Sequence, residues 1–331
     1  MGGNRRGYAE CVPNQLEDSG APARQKPPAF LAIKIVLAIV GVALMVAAIS
    51  PRARLFAVWL LGRSQGCSLD ATLNANTALL RFTRLWSEMG RESQIVDRDI
   101  SGFELVNTSR GQYWTSRHEP LIGFLLAEQE TEIYGDHIRG VRPGDVVLDC
   151  GANIGVFTRS ALFRGAKLVV AIEPSPPNVE SLRRTFSKEI AEGRVIVYPK
   201  GVWDSVTMLD LTVSEGGTMS GGSVVRPPGL YMTGKVKVPL TTIDLMVAEL
   251  GLPRVDFIKM DIEGAEKNAI RGGSETIRKF HPRMALSIEH LPDDPVAIPR
   301  TVRAIQPNYH GQPNNCQDKF DSIEPDVMLF Q

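Results

Sequence analysis

The stretch Val146-Val147-Leu148-Asp149-Cys150-Gly151-Ala152-Asn153-Ile154-Gly155 decides how the chain folds. A short apolar run ends in an acid, two glycines four residues apart follow, and Val156-Phe157-Thr158-Arg159-Ser160-Ala161-Leu162 begins a helical pattern. A strand, a tight glycine turn and a helix form the unit that holds a nucleotide at the carboxyl edge of a parallel sheet. Two more apolar runs end in acids. Residues 167–172 lead into Glu173-Pro174, and residues 255–260 lead into Asp261-Ile262-Glu263-Gly264-Ala265-Glu266. Acids at three strand ends, in this order, describe a nucleoside site beside a reaction site.

Working outward, strand and helix patterns alternate. Strands are predicted at 146–150, 167–172, 194–198, 235–238, 256–260 and 284–289, with a weaker one at 326–330. Helices are predicted at about 155–164, 177–192, 242–250 and 264–280, and the Gly- and Ser-rich residues 216–228 read as a loop. Such alternation implies an α/β fold with a doubly wound, mostly parallel sheet covered on both faces. Upstream, residues 70–91 and 119–139 read as helices and 95–106 as strand.

Lys plus Arg and Asp plus Glu both number 37, so the formal net charge is zero. Nucleic-acid binding, which needs a positive field, is not favoured. Cys11, Cys67, Cys150 and Cys316 are far apart and form no C-x-x-C pair. Neither a zinc site nor a disulfide framework is expected, and this usage fits a reducing compartment.

The chain divides into four parts. Residues 1–28 are rich in Pro, Gly and charge, without apolar periodicity, and read as a disordered tail. Residues 29–49 carry one charge, Lys34, in an otherwise apolar run long enough to cross a bilayer as a helix. A cleaved signal peptide and a buried core helix compete with that reading. Residues 50–110 form a connector, helical then strand-like, and 111–331 form the main domain. Arg52, Arg54 and Arg63 slightly outnumber Arg24 and Lys26, which favours a single-pass protein with its C-terminal body in the cytoplasm.

A dinucleotide fold wants G-x-G-x-x-G, but Asn153 stands where the middle glycine belongs. With Asp149 in front, the turn repels phosphate and attracts an amine or cation. That favours S-adenosylmethionine, which carries an ammonium and a sulfonium and no phosphate. Glu173, at the end of the second strand, can accept bonds from both ribose hydroxyls.

The runs Leu148 to Gly155, Glu173-Pro174, Thr242-Ile243-Asp244 and Ile258-Lys259-Met260-Asp261-Ile262-Glu263-Gly264-Ala265-Glu266 together resemble the FkbM-type methyltransferases, over residues 111–330. The resemblance implies the class I S-adenosylmethionine-dependent methyltransferase fold. It also implies that Asp149, Gly151, Asn153 and Gly155 line the methionine end of the cofactor, that Glu173 binds the ribose, and that Asp204 lies near the adenine.

Methyl transfer to a hydroxyl needs an aligned acceptor and an exit for its proton. Asp261 and Glu263, two apart on an extended strand end, turn to the same side if the pleat persists. They could act as a base pair or hold a divalent cation. His290 is a second candidate base, Lys259 a partner for one of these acids, and Glu266 a helix-dipole acid. The expected activity is O-methylation of a hydroxyl on a sugar, glycolipid or secondary metabolite, so the expected partners are a small-molecule, glycan or lipid-linked acceptor and, through 29–49, the membrane. The rivals are a nicotinamide-dependent oxidoreductase, which the missing glycine disfavours, and a non-catalytic membrane-anchored scaffold, which the intact acids disfavour.

Overall fold

A computed structural model of the chain describes residues 29–116, 122–213, 222–225 and 234–331. The tail reading of 1–28, the start of the helix at 119 and most of the loop at 216–228 lie outside the described residues. The described residues fall into two units, one ending at Ile49 and the other spanning Ser50–Gln331.

The first unit contributes helix α1 (Ala29–Ile49), whose described side chains, among them Leu37 and Val42, are exposed. The described side chains run unbroken only over 31–43. Among the described residues no helix is long and apolar enough to cross a membrane, so the span expected at 29–49 gains no support here.

The second unit begins with helices α2 (Pro51–Leu60) and α3 (Leu69–Glu92), started by the side chains of Ser50 and Ser68, which accept from the backbone amides of Ala53 and Ala71. Strands β1 (Gln94–Arg98), β2 (Phe103–Thr108) and β3 (Gly111–Ser116) form an antiparallel sheet. The single strand expected at 95–106 is therefore two strands, broken where Asp99 accepts from the amides of Ser101 and Phe103. The expected border between 110 and 111 falls in the turn joining the paired strands β2 and β3. Helix α4 (Ile122–Glu130) crosses α3 closely. A methyl on Gly123 would collide with the backbone of Gly90.

The main sheet follows. Its elements are β4 (Val146–Cys150), α5 (Val156–Phe163), β5 (Leu168–Ile172), α6 (Pro176–Thr185), α7 (Ser187–Ala191) and β6 (Val195–Tyr198). Then come β7 (Gly201–Val202), β8 (Thr207–Val213), β9 (Gly234–Thr241), α8 (Ile243–Glu249), β10 (Phe257–Met260), α9 (Glu266–Gly272), α10 (Ser274–Phe280), β11 (Arg283–Ser287), α11 (Asp294–Ile305), β12 (Gly311–Asp318) and β13 (Ile323–Phe330). The sheet order is β12-β13-β11-β10-β4-β5-β6. β10 pairs in parallel with β4, Met260 opposite Cys150, so the acid-bearing ends meet at one edge.

Alternation along the strands feeds two cores. Leu148, Ile172, Ile258 and Leu286 face one side, with Ile243, Ile270 and Ile298 of α8, α9 and α11. Val147, Val169, Phe257 and Ala285 face the other, with Phe157 and Ala161 of α5. Each fully buried aliphatic side chain contributes about 1.5–3 kcal/mol.

The sheet is mostly parallel, as expected, with β13 running antiparallel to β11 and to β12 at one edge. Two expectations are corrected. The strand expected at 235–238 is part of β9, which pairs with β7 and β8 in a separate small sheet. The cysteines do form a disulfide, Cys67 to Cys316, across 249 residues of chain, while Cys150 is free and buried. Sequence spacing carries no sign of this bond. It depends on β12 packing beside the α2–α3 segment, where Leu55, Val58, Ala75 and Ile323 surround the sulfurs.

Candidate active site

The turn after β4 is pinned from both sides. The Gly151 and Ala152 amides both donate to the Ile172 carbonyl, each at 3.0 Å. Gly151 adopts φ +80°, and a methyl there would collide with the carbonyl oxygen of Asp261. Only glycine lets the β4 turn lie against the end of β10. Asn153, at the position of the missing glycine, adopts φ +51°, a left-handed conformation that asparagine tolerates. Its amide donates to Glu173 Oε2 at 2.9 Å, and the Ser175 amide donates to Oε1 at 2.9 Å. Burial raises the Glu173 carboxyl to about 6 in spite of these donors.

Glu173, Gly151 and Asn153 line a cavity of about 500 Å³, within the range of small-molecule sites. Asp261, Glu263 and His290 line the same cavity. Three of the residues assigned to the cofactor lie elsewhere. Asp149 is fully buried behind the wall, where its Oδ2 accepts from the Thr158 hydroxyl at 2.6 Å and its Oδ1 lies 3.4 Å from Lys259 Nζ. The cation drawn to this acid is thus the chain's own lysine. Gly155 starts α5 at φ +94° and serves packing, since a methyl there would strike the Phe186 ring. Asp204 is exposed outside the cavity and accepts from Asn268 Nδ2 at 2.6 Å, while Gly201 and Val202 line the wall instead.

The reaction end is built by the turn after β10 rather than by continued pleating. Glu263 sits at φ +58° and Gly264 at φ +99°, a conformation that is strained for the glutamate. Glu266 is the centre of this turn. It is fully buried, and its carboxylate accepts from the Ile262 amide at 2.8 Å and the Gly264 amide at 3.0 Å. Its Oε1 also lies 2.9 Å from His290 Nδ1. A carboxylate only accepts, so Nδ1 carries a proton and donates it to the hydrogen bond with Glu266. Nε2 lies 3.3 Å from Asp261 Oδ1 and 3.5 Å from Glu263 Oε2.

The Tyr134 hydroxyl donates to Asp261 Oδ2 at 2.7 Å. Burial, then the charge of Asp261, raises the Tyr134 phenol well above its usual range, so it stays a donor. Burial alone would raise Asp261, but Lys259, His290 and hydroxyl donors outweigh it and hold the carboxyl ionised. Lys259 donates to the Gly151 carbonyl at 2.8 Å. Burial works against its charge, yet Asp149 and then Asp261 keep it above the ordinary lysine value.

Sequence reasoning found Gly151, Asn153, Glu173, Asp261, Glu263 and His290 for this cavity. It missed Tyr134, Glu128 and Phe124, which reach the cavity from α4 and the turn after it. No spacing marks them, because α4 is placed by α3. Phe124 packs edge-on against Phe82 and Trp86, with centroids 5.1 and 5.4 Å away. The connector therefore supports one wall of the site.

Among known proteins, the chain is 29% identical over 157 residues to the 2-O-methyltransferase NoeI of Sinorhizobium fredii (strain NBRC 101917 / NGR234), covering 42% of this chain and 61% of that protein. It is 27% identical over 177 residues to the 31-O-demethyl-FK506 methyltransferase FkbM of Streptomyces tacrolimicus, covering 45% and 67%. It is 36% identical over 191 residues to the tRNA wybutosine-synthesizing protein 2/3/4 of Arabidopsis thaliana, covering 52% of this chain but 18% of that one. The chain thus spans less than two thirds of the length of the Sinorhizobium protein. Among solved structures, the methyltransferase FkbM from Methylobacillus flagellatus KT matches with a TM-score of 0.42 at 17% identity, covering 78% of this chain and 61% of that one. Residues 149–312, which hold the β4 turn, Glu173 and the whole Asp261–Glu263–His290 group, match the methyltransferase FkbM domain, and this domain of the chain belongs to that family.

Proposed function

We propose that the chain transfers the methyl group of S-adenosylmethionine to a hydroxyl oxygen. The observation that carries this reading is the shared cavity, with a backbone-held carboxylate, Glu173, and the Asp261–Glu263–His290 group both on its wall. S-adenosylmethionine would supply an electrophilic methyl carbon on a sulfonium. Glu173 fits the ribose, since an ionised carboxylate has about four acceptor sites, of which the Asn153 and Ser175 amides and the Asn178 side chain take three and leave one for a hydroxyl. Gly151 and Asn153 would border the methionine end, and Gly201 and Val202 the base.

The acceptor hydroxyl must lose its proton as its oxygen attacks. Asp261 is held ionised, and His290 presents Nε2 beside it, so this group receives that proton. For the acceptor, a sugar hydroxyl, free or lipid-linked, is favoured by the Phe124 wall, because an aromatic ring offers a face to a sugar ring. The names of the Sinorhizobium and Streptomyces relatives also support an oxygen acceptor.

The apolar run 29–49 supports a membrane anchor, and the need for S-adenosylmethionine supports a cytoplasmic body. The Cys67–Cys316 bond weighs the other way, since such bonds persist in oxidising compartments. Thiol alkylation in intact cells decides the matter, because a cytoplasmic body leaves both cysteines reduced and open to the reagent on denaturation.

The test of function is calorimetric. Binding of S-adenosylhomocysteine, with NADH giving no heat, supports the reading, and the reverse result overturns it. Mass spectrometry of lipid, glycan and RNA extracts from cells with and without the gene then identifies the acceptor by the mass of one methylene.

A further inference from the structure

We infer that Asp261, Glu263 and His290 form a divalent-cation site, with Glu266 and Tyr134 orienting its ligands. One donor atom from each of the three residues lies within 4.8 Å of the other two. The closest approaches, 3.3 Å from Nε2 to Asp261 and 3.5 Å from Nε2 to Glu263, are close to the edge of an octahedron. Ligands at about 2.1–2.4 Å from a metal and at right angles are separated by roughly 3.0–3.4 Å.

The donor chemistry supports this independently of the distances. The imidazole is 8% exposed, and its Nδ1 proton is taken by Glu266, an acid used by three donors and buried completely. A histidine that donates one ring N–H to a carboxylate presents the other nitrogen as a ligand, in the manner of carboxylate–histidine–metal arrangements. Asp261 is treated alike. Tyr134 occupies Oδ2, and Oδ1 faces His290.

The charge of the wall gives a third argument. Among the described residues, Glu128, Glu173, Asp261, Glu263 and Glu289 line the cavity against one ammonium, Lys259. Burial and the charge of Asp261 push the Glu128 carboxyl well up, which removes one negative charge. The sulfonium cofactor would offset one more, and among the described residues an excess of acids would remain beside His290. Two carboxylates with one imidazole suit a borderline first-row ion, so Mn2+ is the probe of choice.

The site stands on its donors and not on the methyl-transfer reading. Where both hold, an ion held by these residues would acidify the acceptor hydroxyl, and the proton would pass to water in place of His290. The experiment is a titration of the full-length protein with Mn2+, read by loss of the free-ion paramagnetic resonance signal. One ion per wild-type chain is expected. His290→Ala and His290→Gln should each weaken binding by about 100-fold, and Glu266→Gln by roughly 10–100-fold. Glu275→Gln, a surface carboxylate paired with Arg278, should bind like wild type.

Failure of the folded wild-type protein to take up Mn2+, or equal uptake by both His290 variants, overturns the inference. S-adenosylhomocysteine binding is measured on the same metal-free samples. Nucleoside binding without Mn2+ uptake sinks the cation site alone, whereas Mn2+ uptake without nucleoside binding sinks the methyl-transfer reading alone.

Discussion

Glu173 is the residue whose chemistry most directly tests the nucleoside pocket. Burial raises its carboxyl to about 6, above the usual glutamate value, so in the ligand-free fold ionisation is disfavoured. The sign follows from linkage. Its contribution to stability is full below the unfolded value near 4.5 and is lost as pH rises through 6. A ribose hydroxyl donating a hydrogen bond favours the ionised form. Affinity for S-adenosylhomocysteine should therefore rise between pH 5 and 7.5, and Glu173→Gln should flatten that rise. At pH 7.5 the same substitution should cost about 10–100-fold in affinity, since hydrogen bonds to a charged group contribute about 1.5–3 kcal/mol. Titration calorimetry at several pH values reads both effects. Gly151 makes a sharper structural prediction. Gly151→Ala must find room against the Asp261 carbonyl at a positive φ, so a loss of about 2–4 kcal/mol is expected in denaturant melts, together with loss of nucleoside binding.

At the scale of elements, the legible parts were those whose signals are local. β4, β5, β10 and the glycine turn were readable because apolar runs, positive-φ glycines and terminal acids all sit within ten residues of one another. The doubly wound core followed from their alternation. β12 was not readable. Gly311-Gln312-Pro313-Asn314-Asn315-Cys316 has no alternating apolar face, and it becomes a strand only because β13 pairs with it along its length. Asp261 and Glu263 were found, but through a turn with a left-handed glutamate and not through the pleat that suggested them. Tyr134 and Phe124 were not marked as site residues because α4 is located by α3, whose contacting residues Phe82 and Trp86 lie about forty residues away in sequence. The disulfide belongs to the same class of non-local fact. It closes a loop of 249 residues between the α2–α3 segment and β12, so Cys67→Ser should lower stability by about 2–5 kcal/mol. Because none of Leu55, Val58, Ala75 and Ile323 around the sulfurs lines the cavity, nucleoside affinity at 25 °C should be unchanged. Thermal melts with and without reductant, beside calorimetry on the variant, separate the two effects.

For the whole molecule, pH stability should be governed by a carboxyl at the sheet edge rather than by the surface ion pairs. Exposed pairs such as Lys237–Asp210 are worth little. Asp326, on β13, is 4% exposed, and burial followed by the neighbouring Glu289 raises its carboxyl to about 9. Its Oδ2 accepts from Asn315 Nδ2 at 2.5 Å and from the Gln317 side chain. Below the unfolded value near 3.8 its contribution to stability is full, and it declines as pH rises, being lost once pH passes 9. Each pH unit in that window removes about 1.4 kcal/mol at most, and each kcal/mol moves the midpoint by roughly 2–4 °C in a domain of this size. The wild-type Tm should thus fall by roughly 5–10 °C between pH 7 and 9. Asp326→Asn keeps an acceptor for Asn315 and Gln317 and removes the titration, so its Tm should stay nearly level over the same range. Parallel slopes for the two proteins in scanning calorimetry would show that Asp326 is ionised in the fold, and the acidic edge beside the cavity would then carry one more negative charge than assigned here.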